Sequence, residues 1–583
     1  MQNADGLGHS AFCILHFAFL VKRLLFAAAV LFAAVAASVV LTLPPRHLSL
    51  AAADDRSIAG IVHIHSNRSD GSSSPDDIAA AAARAGRSFV VFTDHGDATR
   101  IPDPPTYRSG VLCLDGVEIS TNEGHYVAFD MPASPYPLGG EARDVIEDVR
   151  RLGGFGVAAH PDSPKPQLRW TEWTAPFDGI ELLNPDTSWR VLAQMPGWRG
   201  RRELVTALFD YPFRPAQTID RLLQPSGIIP QWLALAEHRR VVAMAGVDAH
   251  ARIDLRGDPI DSTTRAWLPL PSYEATFRSL AVHVMTDRPF SGAAASDAAV
   301  LMRGIRAGHL YAALDGVAGP PAFEFTATND LGTVHEGDEL GASGPVTLQI
   351  ASNAPPSYTT VVHQGTRVIT SVRDPQQLVV HASAQPAVYW VDIVPGGGAR
   401  VPWLRSNPIY VRSATPLAPD VMRAPITDTA PLATTGWHTE QDASSTASAE
   451  VSDRDNRREY RLRFALGGGA PARQYAAIEI DTPNGIAGYT AIGFTARADR
   501  PMRVSVQLRS DEASPDRWQR SVYLDRFDHD RTVFLDDVTP VGSTRSEKPP
   551  LARIRAVLFV VDLTNTKPGT TGQVWIANPA LER

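Results

Sequence analysis

Cysteine is nearly absent: the 583 residues hold only Cys13 and Cys113. Cys13 lies in the apolar N-terminal region, so no disulfide framework can brace the body of the chain. Lysine is almost as scarce, with Lys22, Lys165, Lys548 and Lys567 the only ones. An excess of basic charge is missing too. Lys plus Arg total 55 against 63 for Asp plus Glu, a formal net charge of -8, which speaks against broad electrostatic binding to nucleic acid. Repeats of roughly 20–50 residues and heptad spacing are also lacking, which excludes solenoids and long coiled coils. What is present is 44% hydrophobic and 20% charged residues, a balance that builds packed cores. The length favours roughly four domains.

One long apolar run is present. Leu24–Leu43 reads LLFAAAVLFAAVAASVVLTL, without a charge. About 20 residues at a rise of about 1.5 Å cross a hydrocarbon core of about 30 Å. Lys22 and Arg23 directly precede the run, so the positive-inside rule keeps residues 1–23 cytoplasmic and exports the rest. The expected reading is an inner-membrane anchor over 24–43 with a periplasmic or extracellular body. Ala51-Ala52-Ala53 leaves a cleaved signal sequence, and hence a secreted body, as the competing reading.

Short apolar runs then alternate with helical patterns over 56–315, the texture of βα units. Strands are expected at Ile58–His63, Phe89–Thr93, Val111–Val117, Tyr126–Phe129, Phe155–Ala159, Gly179–Leu183 and Val241–Ala245. Ser74, Pro75, Asp76, Asp77 and Gly86 punctuate one helix. Residues 185–240 read as a helical insertion, a lid or wall of a site. From 316 to 412 alternating strands indicate a small β-sandwich, with 360–370 as one of them. Residues 413–436 are rich in Pro, Thr and Ala and read as a linker. Residues 437–583 are strand-rich and suit a jelly roll with a galactose-binding-like texture. Its Trp437, Trp518 and Trp575 could stack on a glycan, although core positions are commoner for tryptophan.

Five motifs sit at strand ends, where parallel sheets build sites. They are His63-Ile64-His65-Ser66 with Ser69-Asp70-Gly71; Thr93-Asp94-His95; Gly116-Val117-Glu118 with Gly124-His125; Ala158-Ala159-His160-Pro161; and Asp248-Ala249-His250. On a strand, residues i and i+2 share a face, so His63 and His65 could ligate one metal. Each motif alone reads equally as a turn or a satisfied histidine. Together they gather His63, His65, His95, His125, His160 and His250 with Asp70, Glu118 and Asp248. Nine N/O donors exceed one tetrahedral site and suit two or three divalent ions such as Zn, Mn or Fe. The residual positive charge favours an anionic substrate. Arg68 and Arg252 flank the motifs and could grip that anion as catalytic residues, a surface position being the alternative for both. Asp94 is expected to fix a ligand histidine, and Asn184 to line the pocket or form a turn.

The motif order HxHS…SDG, TDH, GxE…GH, AHP and DAH resembles the PHP (polymerase and histidinol phosphatase) metallohydrolase family over about residues 56–255, with a tail to about 315. The resemblance implies a distorted seven-stranded β/α barrel with up to three metals and phosphoester hydrolysis through a metal-bridging hydroxide. By that resemblance His63, His65, Glu118 and Asp248 hold one metal. Glu118 bridges to a second on His125 and His160, and Asp70, His95 and His250 hold a third. Amidohydrolases also begin with HxH, but they use a strand-end lysine. The barrel region offers only Lys165, in a Pro-rich turn. The longer arrangement resembles the carbaryl-hydrolase-like branch, which keeps a carbamate or aryl ester substrate as an alternative. A glycan-binding envelope protein is a further alternative. A polymerase-associated domain fits poorly with the N-terminal apolar run and the net acidity.

Overall fold

In the computed structural model the described residues are 5–51, 56–254, 267–413, 423, 426–432, 436–454, 457–469, 473–511 and 515–583. The N-terminal apolar run lies in helix α1, Asp5–Thr42. Its Val21–Thr42 part is long and apolar enough to cross a membrane and is almost wholly exposed.

The strands expected between 58 and 245 all form. They are β1 (Ser57–Ile64), β2 (Phe89–Phe92), β3 (Val111–Thr121), β4 (Gly124–Phe129), β5 (Phe155–Ala158), β6 (Gly179–Leu183) and β7 (Val242–Ala245). They lie side by side in that order. β1, β2 and β3 run parallel, β3–β4 and β4–β5 pair antiparallel, and β5, β6 and β7 run parallel. Runs such as Phe89–Phe92 and Val242–Ala245 are buried at every position, which is why they show no polar alternation. Helix α2 (Pro75–Arg84) starts where Ser74 Oγ accepts the Asp77 N–H at 3.2 Å and stops before Gly86, whose φ of 74° is left-handed. Helix α3 (Ala142–Arg151) links β4 to β5. The insertion is helical, as expected: α4 (Pro185–Gln194), α5 (Arg199–Asp210), α6 (Pro215–Leu222) and α7 (Ile229–His238).

The described strands form a mixed sheet, and no closed ladder confirms the expected distorted barrel, although an isolated parallel bridge joins Ile64 to Ala249. No ladder joins β7 to β1 among the described residues. The reason lies at the outer edge of β1. Residues 57–60 of that edge are taken by a strand the sequence reading lacked, β8 (Ala281–Met285), which runs antiparallel. Only the tip of β1 remains for the chain leaving β7. Val247 N donates to Val62 O at 3.1 Å, Ala249 N to His63 O at 3.3 Å, and His65 N to Ala249 O at 3.0 Å. Helix α8 (Tyr273–Ser279) precedes β8, and helix α9 (Ala294–Ala307) leads to β9 (Leu310–Ala313). β9 pairs with β8 and with Leu404–Ser406, so the sheet continues past residue 315 into the following sandwich.

The second face of that sandwich is a four-stranded sheet built from Phe323–Asn329, Gly332–His335, Val346–Ser352 and Gln377–Ala382. The single strand expected at 360–370 is a hairpin of Thr359–Gln364 and Arg367–Arg373, because Gly365 turns the chain at φ 55°. One apolar core runs through both regions, joining Ile61, Val90 and Leu112 to Phe325, Val391 and Trp403. In the expected linker, Thr429–Pro431 is a strand paired with Thr571–Glu582. Residues 414–422, 424–425 and 433–435 of it lie outside the described residues. The C-terminal domain stacks two six-stranded sheets around a core that includes Ile478, Trp518 and Phe559.

That domain docks on α3. Arg503, almost fully buried, donates to Asp148 Oδ2 at 2.9 Å and to Glu147 Oε2 at 2.7 Å. Arg520 pairs with Glu141 at 3.3 Å and also with Asp144. A buried cation facing buried carboxylates cannot lose its partner without a large desolvation penalty. Arg503→Met is therefore expected to lower stability by about 3 kcal/mol. A lowered denaturation midpoint would show this; an unchanged midpoint would mean that the docking contact adds nothing to stability.

Candidate metal centre

The first ligand pair depends on a distortion of β1. The pairing register shifts between Val62 and Ile64, and His63 sits at φ 68°. This bulge, rather than simple strand alternation, turns His63 toward His65, which lies just past the strand end. His160 and Asp248 also hold positive φ, at 28° and 49°. Such backbone persists only where surrounding contacts enforce it, and it concentrates at functional sites. The loop after His65 packs tightly: a Cβ on Gly71 would lie 2.1 Å from the His65 carbonyl oxygen, so the Ser-Asp-Gly motif needs its glycine. Tyr273 on α8 ties two loops together. Its hydroxyl lies 2.7 Å from the His65 carbonyl and 3.0 Å from that of His250, and it accepts the Ser72 N–H at 3.2 Å.

Glu118 sits at the middle of the cluster on β3. Its backbone is held by Asp94, with Glu118 N to Asp94 O at 3.2 Å and Gly96 N to Glu118 O at 3.1 Å. Oε2 faces His63 Nε2 at 3.3 Å, His65 Nε2 at 3.1 Å and His95 Nδ1 at 3.3 Å. Oε1 faces His125 Nδ1 at 2.7 Å and His160 Nε2 at 2.9 Å. Asp248 Oδ1 lies 3.4 Å from His63 Nε2 and 3.3 Å from His65 Nε2. Asp70 lies 3.3 Å from His250 Nε2, 3.7 Å from His95 Nε2 and 3.5 Å from His65 Nδ1. All nine expected donors therefore meet in one place.

Their spacing fits a divalent cation. Donors about 2.1 Å from a tetrahedral ion are about 3.4 Å apart. The separations of the His63 and His65 Nε2 atoms from Glu118 and Asp248 are 3.1–3.4 Å. Both Nε2 atoms are buried without a hydrogen-bond partner, an arrangement that is costly unless something else satisfies them. His65, Asp70, His95 and His250 form a second group that can converge on one ion, and His95, Glu118 and His125 a third. The contacts of His125 and His160 with Glu118 have hydrogen-bond lengths instead.

Charge follows the same logic. Burial pushes the Glu118 carboxyl up, but His63, His125 and His160 outweigh burial and hold it well below the ordinary carboxylate range. Asp248 is likewise raised by burial and brought well below by His63 and His250. Burial lowers His63, and Glu181, Asp248 and Glu118 raise it well above its usual value. His250 is pushed down by burial and up to about 10 by Asp248 and Asp70. Without another cation, the carboxylates are satisfied by protons on the imidazoles.

Sequence reasoning missed Glu181. It is a buried carboxylate inside the apolar strand β6, and that mismatch was the available signal. Glu181 Oε1 lies 2.6 Å from His63 Nδ1, while Oε2 accepts the His160 N–H at 2.7 Å and the Asn184 amide at 3.0 Å. A proton held at His63 Nδ1 leaves Nε2 as the free donor. A Cβ on Gly246 would meet Glu181 Oε1 at 1.8 Å, so that glycine makes room for it. Asn184 serves two ends at once, bonding Glu181 and capping α4 through the Thr187 N–H at 2.9 Å. Asp94 differs from its expected role. It bonds Ser66 N and Oγ at 2.7 Å each and Ser69 Oγ at 2.8 Å, so it holds the loop that carries Asp70 and reaches a histidine only through Ser69 Oγ, 3.5 Å from His65 Nδ1.

A cavity of about 100 Å³ opens beside His95, lined by the polar Arg68, Arg100 and Asp115 and the apolar Val117, Phe129 and Met131. Arg68 is bound to Asp103, and its Nη1 lies 3.4 Å from Asp115 Oδ1. Its charge is thus already engaged, which weakens its expected role as an anion grip. Arg252 is half-buried just past His250, where the chain enters residues outside the described set.

No protein-family model matches the chain, and no curated protein matches it. Solved structures show partial likeness. One is described as a two-domain protein containing a predicted PHP-like metal-dependent phosphoesterase from Bacteroides vulgatus. It is 14% identical, covers 63% of this chain and 99% of that one, and has a TM-score of 0.29. A family 11 carbohydrate-binding module from Clostridium thermocellum is 13% identical over 26% of this chain and 88% of that one, with a TM-score of 0.22. A family 29 carbohydrate-binding module is 10% identical over 27% and 88%, with a TM-score of 0.18. These scores are low, and the functional reading rests on the side-chain geometry above.

Removing the Glu181 carboxylate leaves His63 without its orienting partner. Glu181→Ala is expected to weaken metal binding by roughly 10–100-fold. Equilibrium dialysis against Mn²⁺ or Zn²⁺ measures this, and wild-type affinity would rule out the orienting role.

Proposed function

We propose that the protein is a metal-dependent hydrolase of the PHP type that cleaves phosphoester bonds, with two or three divalent ions (Zn, Mn or Fe). The observation that carries this reading is the convergence of the buried Nε2 atoms of His63 and His65, neither of them hydrogen-bonded, on Glu118 and Asp248 at the spacing of a metal's own ligands. The motif order adds support. Bound ions would supply Lewis acidity and activate water near neutral pH. The chain itself does the rest. Glu118 offers one oxygen to the His63, His65 and His95 side and the other to the His125 and His160 side. Glu181 keeps the proton of His63 on Nδ1. Asp94 and Tyr273 fix the loops that present Asp70, His65 and His250. Arg252 remains the proposed anion grip, joined by Arg68 where substrate displaces its carboxylate partners.

A second reading, hydrolysis of a carbamate or aryl ester, is favoured by one feature. The cavity beside His95 includes Val117, Phe129 and Met131 in its lining, which suits an aryl group as well as a charged one. We further propose that the N-terminal helix anchors the body outside the cytoplasm. The glycan-binding reading has less to stand on. Trp518 is fully buried, Trp437 packs on the same core, and Trp575 lies beneath the Arg497 guanidinium, 4.6 Å from its ring centroid.

Full-length protein reconstituted with Mn²⁺ or Zn²⁺ is expected to turn over phosphomonoesters or phosphodiesters faster than carboxyl esters or carbamates. His63→Ala is expected to lose at least about 10³-fold in kcat/KM, as when a metal-borne catalytic unit is dismantled. Faster turnover of carbamates would favour the second reading. Equal activity of wild type and His63→Ala would sink both.

A further inference from the structure

Helices at the surface of globular proteins turn their apolar side inward. Helix α5 does the reverse. Trp198 at its start and Val205, Leu208 and Phe209 within it are 71%, 52%, 55% and 49% exposed, and Phe213 just beyond is 65% exposed. Positions 198, 201, 202, 205, 208 and 209 share one face roughly 120° wide at 3.6 residues per turn. Gly200, Ala207 and Asp210, on the other side, are buried. The outward face therefore carries Trp198, Val205, Leu208 and Phe209 together with Arg201 and Arg202, and Arg199 lies beside it, all exposed. The Arg202 guanidinium lies 5.8 Å from the Trp198 ring centroid.

The position of this face is informative. Helix α1 ends against the buried side of α5. Thr42 Oγ1 donates to Asp210 Oδ1 at 3.0 Å. Arg221 donates to Asp210 Oδ2 at 2.7 Å and also to the Thr42 carbonyl, and Arg214 donates to the Pro44 carbonyl. Beyond it, Leu48 N bonds Val317 O at 3.0 Å and Leu50 N bonds Gly319 O at 2.9 Å. The short segment after α1 is thus pinned to the body, and the C-terminal end of α5, at Asp210, is fixed where the apolar run of α1 stops.

We infer that α5 is an interfacial membrane helix whose partner is the surface of an anionic phospholipid bilayer. Val205, Leu208, Phe209 and Phe213 enter the boundary between headgroups and acyl chains, Trp198 sits at headgroup depth, and Arg199, Arg201 and Arg202 meet lipid phosphates. The exposed apolar surface is then covered by the same bilayer that holds α1, which explains an otherwise unfavourable patch. The inference rests on α1 as a membrane span and not on the hydrolase reading. It also links the bilayer to the metal centre, because the same insertion begins with Asn184, bonded to Glu181.

The test uses the full chain with Cys13→Ser, leaving buried Cys113, in nanodiscs of phosphatidylcholine and phosphatidylglycerol. Nitroxides are placed on Leu208→Cys, on Val30→Cys within α1, and on Leu331→Cys, an exposed sandwich position. The ratio of oxygen to nickel-chelate accessibility at 208 is expected to exceed that at 331 by about threefold or more, as for a label in the acyl boundary. Arg201→Glu with Arg202→Glu is expected to bring it back toward the value at 331. A water-like label at 208 while position 30 reports lipid would overturn the inference. Shielding of 208 from both reagents would mean a protein partner and would overturn it as well. A water-like label at 30 would remove the membrane span itself, and the inference with it.

Discussion

The Glu118 carboxylate is the constraint on which the rest of the site depends. It is nearly fully buried, yet it contacts five of the six motif histidines: His63, His65, His95, His125 and His160. A buried anion is costly unless opposing groups surround it. Nearby elements answer that need. β1 bulges at His63 to aim one imidazole. The β3–β4 hairpin returns His125 beside the same carboxylate. β5 ends at His160, on the other oxygen. Helix α3, on which the C-terminal domain docks, joins the two strands that deliver His125 and His160. The C-terminal domain is thereby connected to the geometry of the centre through one helix.

Most of the site was legible in the sequence because its residues come in short motifs at strand ends. His63, His65, Asp70, His95, Glu118, His125, His160, Asp248 and His250 are each placed by local chain geometry, and the structure gathers all of them. Roles that depend on distant partners were not legible. Glu181 is isolated in an apolar strand, and Tyr273 reaches the site from a helix more than 200 residues after His65. Asp94 bonds to serines, a choice the sequence leaves open. The pairing of Arg68 with Asp103 and Asp115 is likewise set by how one loop folds over another. The strands from 58 to 245 were readable from their apolar runs. The strand at the outer edge of β1 was not, because β8 reaches it from far along the chain. The hairpin at Gly365 was hidden because both of its arms carry the same strand-like texture.

The sandwich and the sheet that carries the motif histidines share one core and one continuous sheet, so the described residues from β1 to Arg412 form a unit and not separate modules. The C-terminal domain has its own core but offers a polar face, with Arg503, Arg520 and Ser521, to α3. That face is therefore engaged within the chain. The insertion between β6 and β7 belongs to two surroundings at once, touching Glu181 at its start and the end of α1 at α5.

The central claim is that these side chains bind metal ions. Anomalous diffraction from crystals of the full chain grown with Mn²⁺ or Zn²⁺ tests it most directly. The account predicts a peak between His63, His65, Glu118 and Asp248, with donors at about 2.1 Å, and a second beside Asp70, His95 and His250. Crystals with excess metal and no anomalous peak among these residues would contradict it.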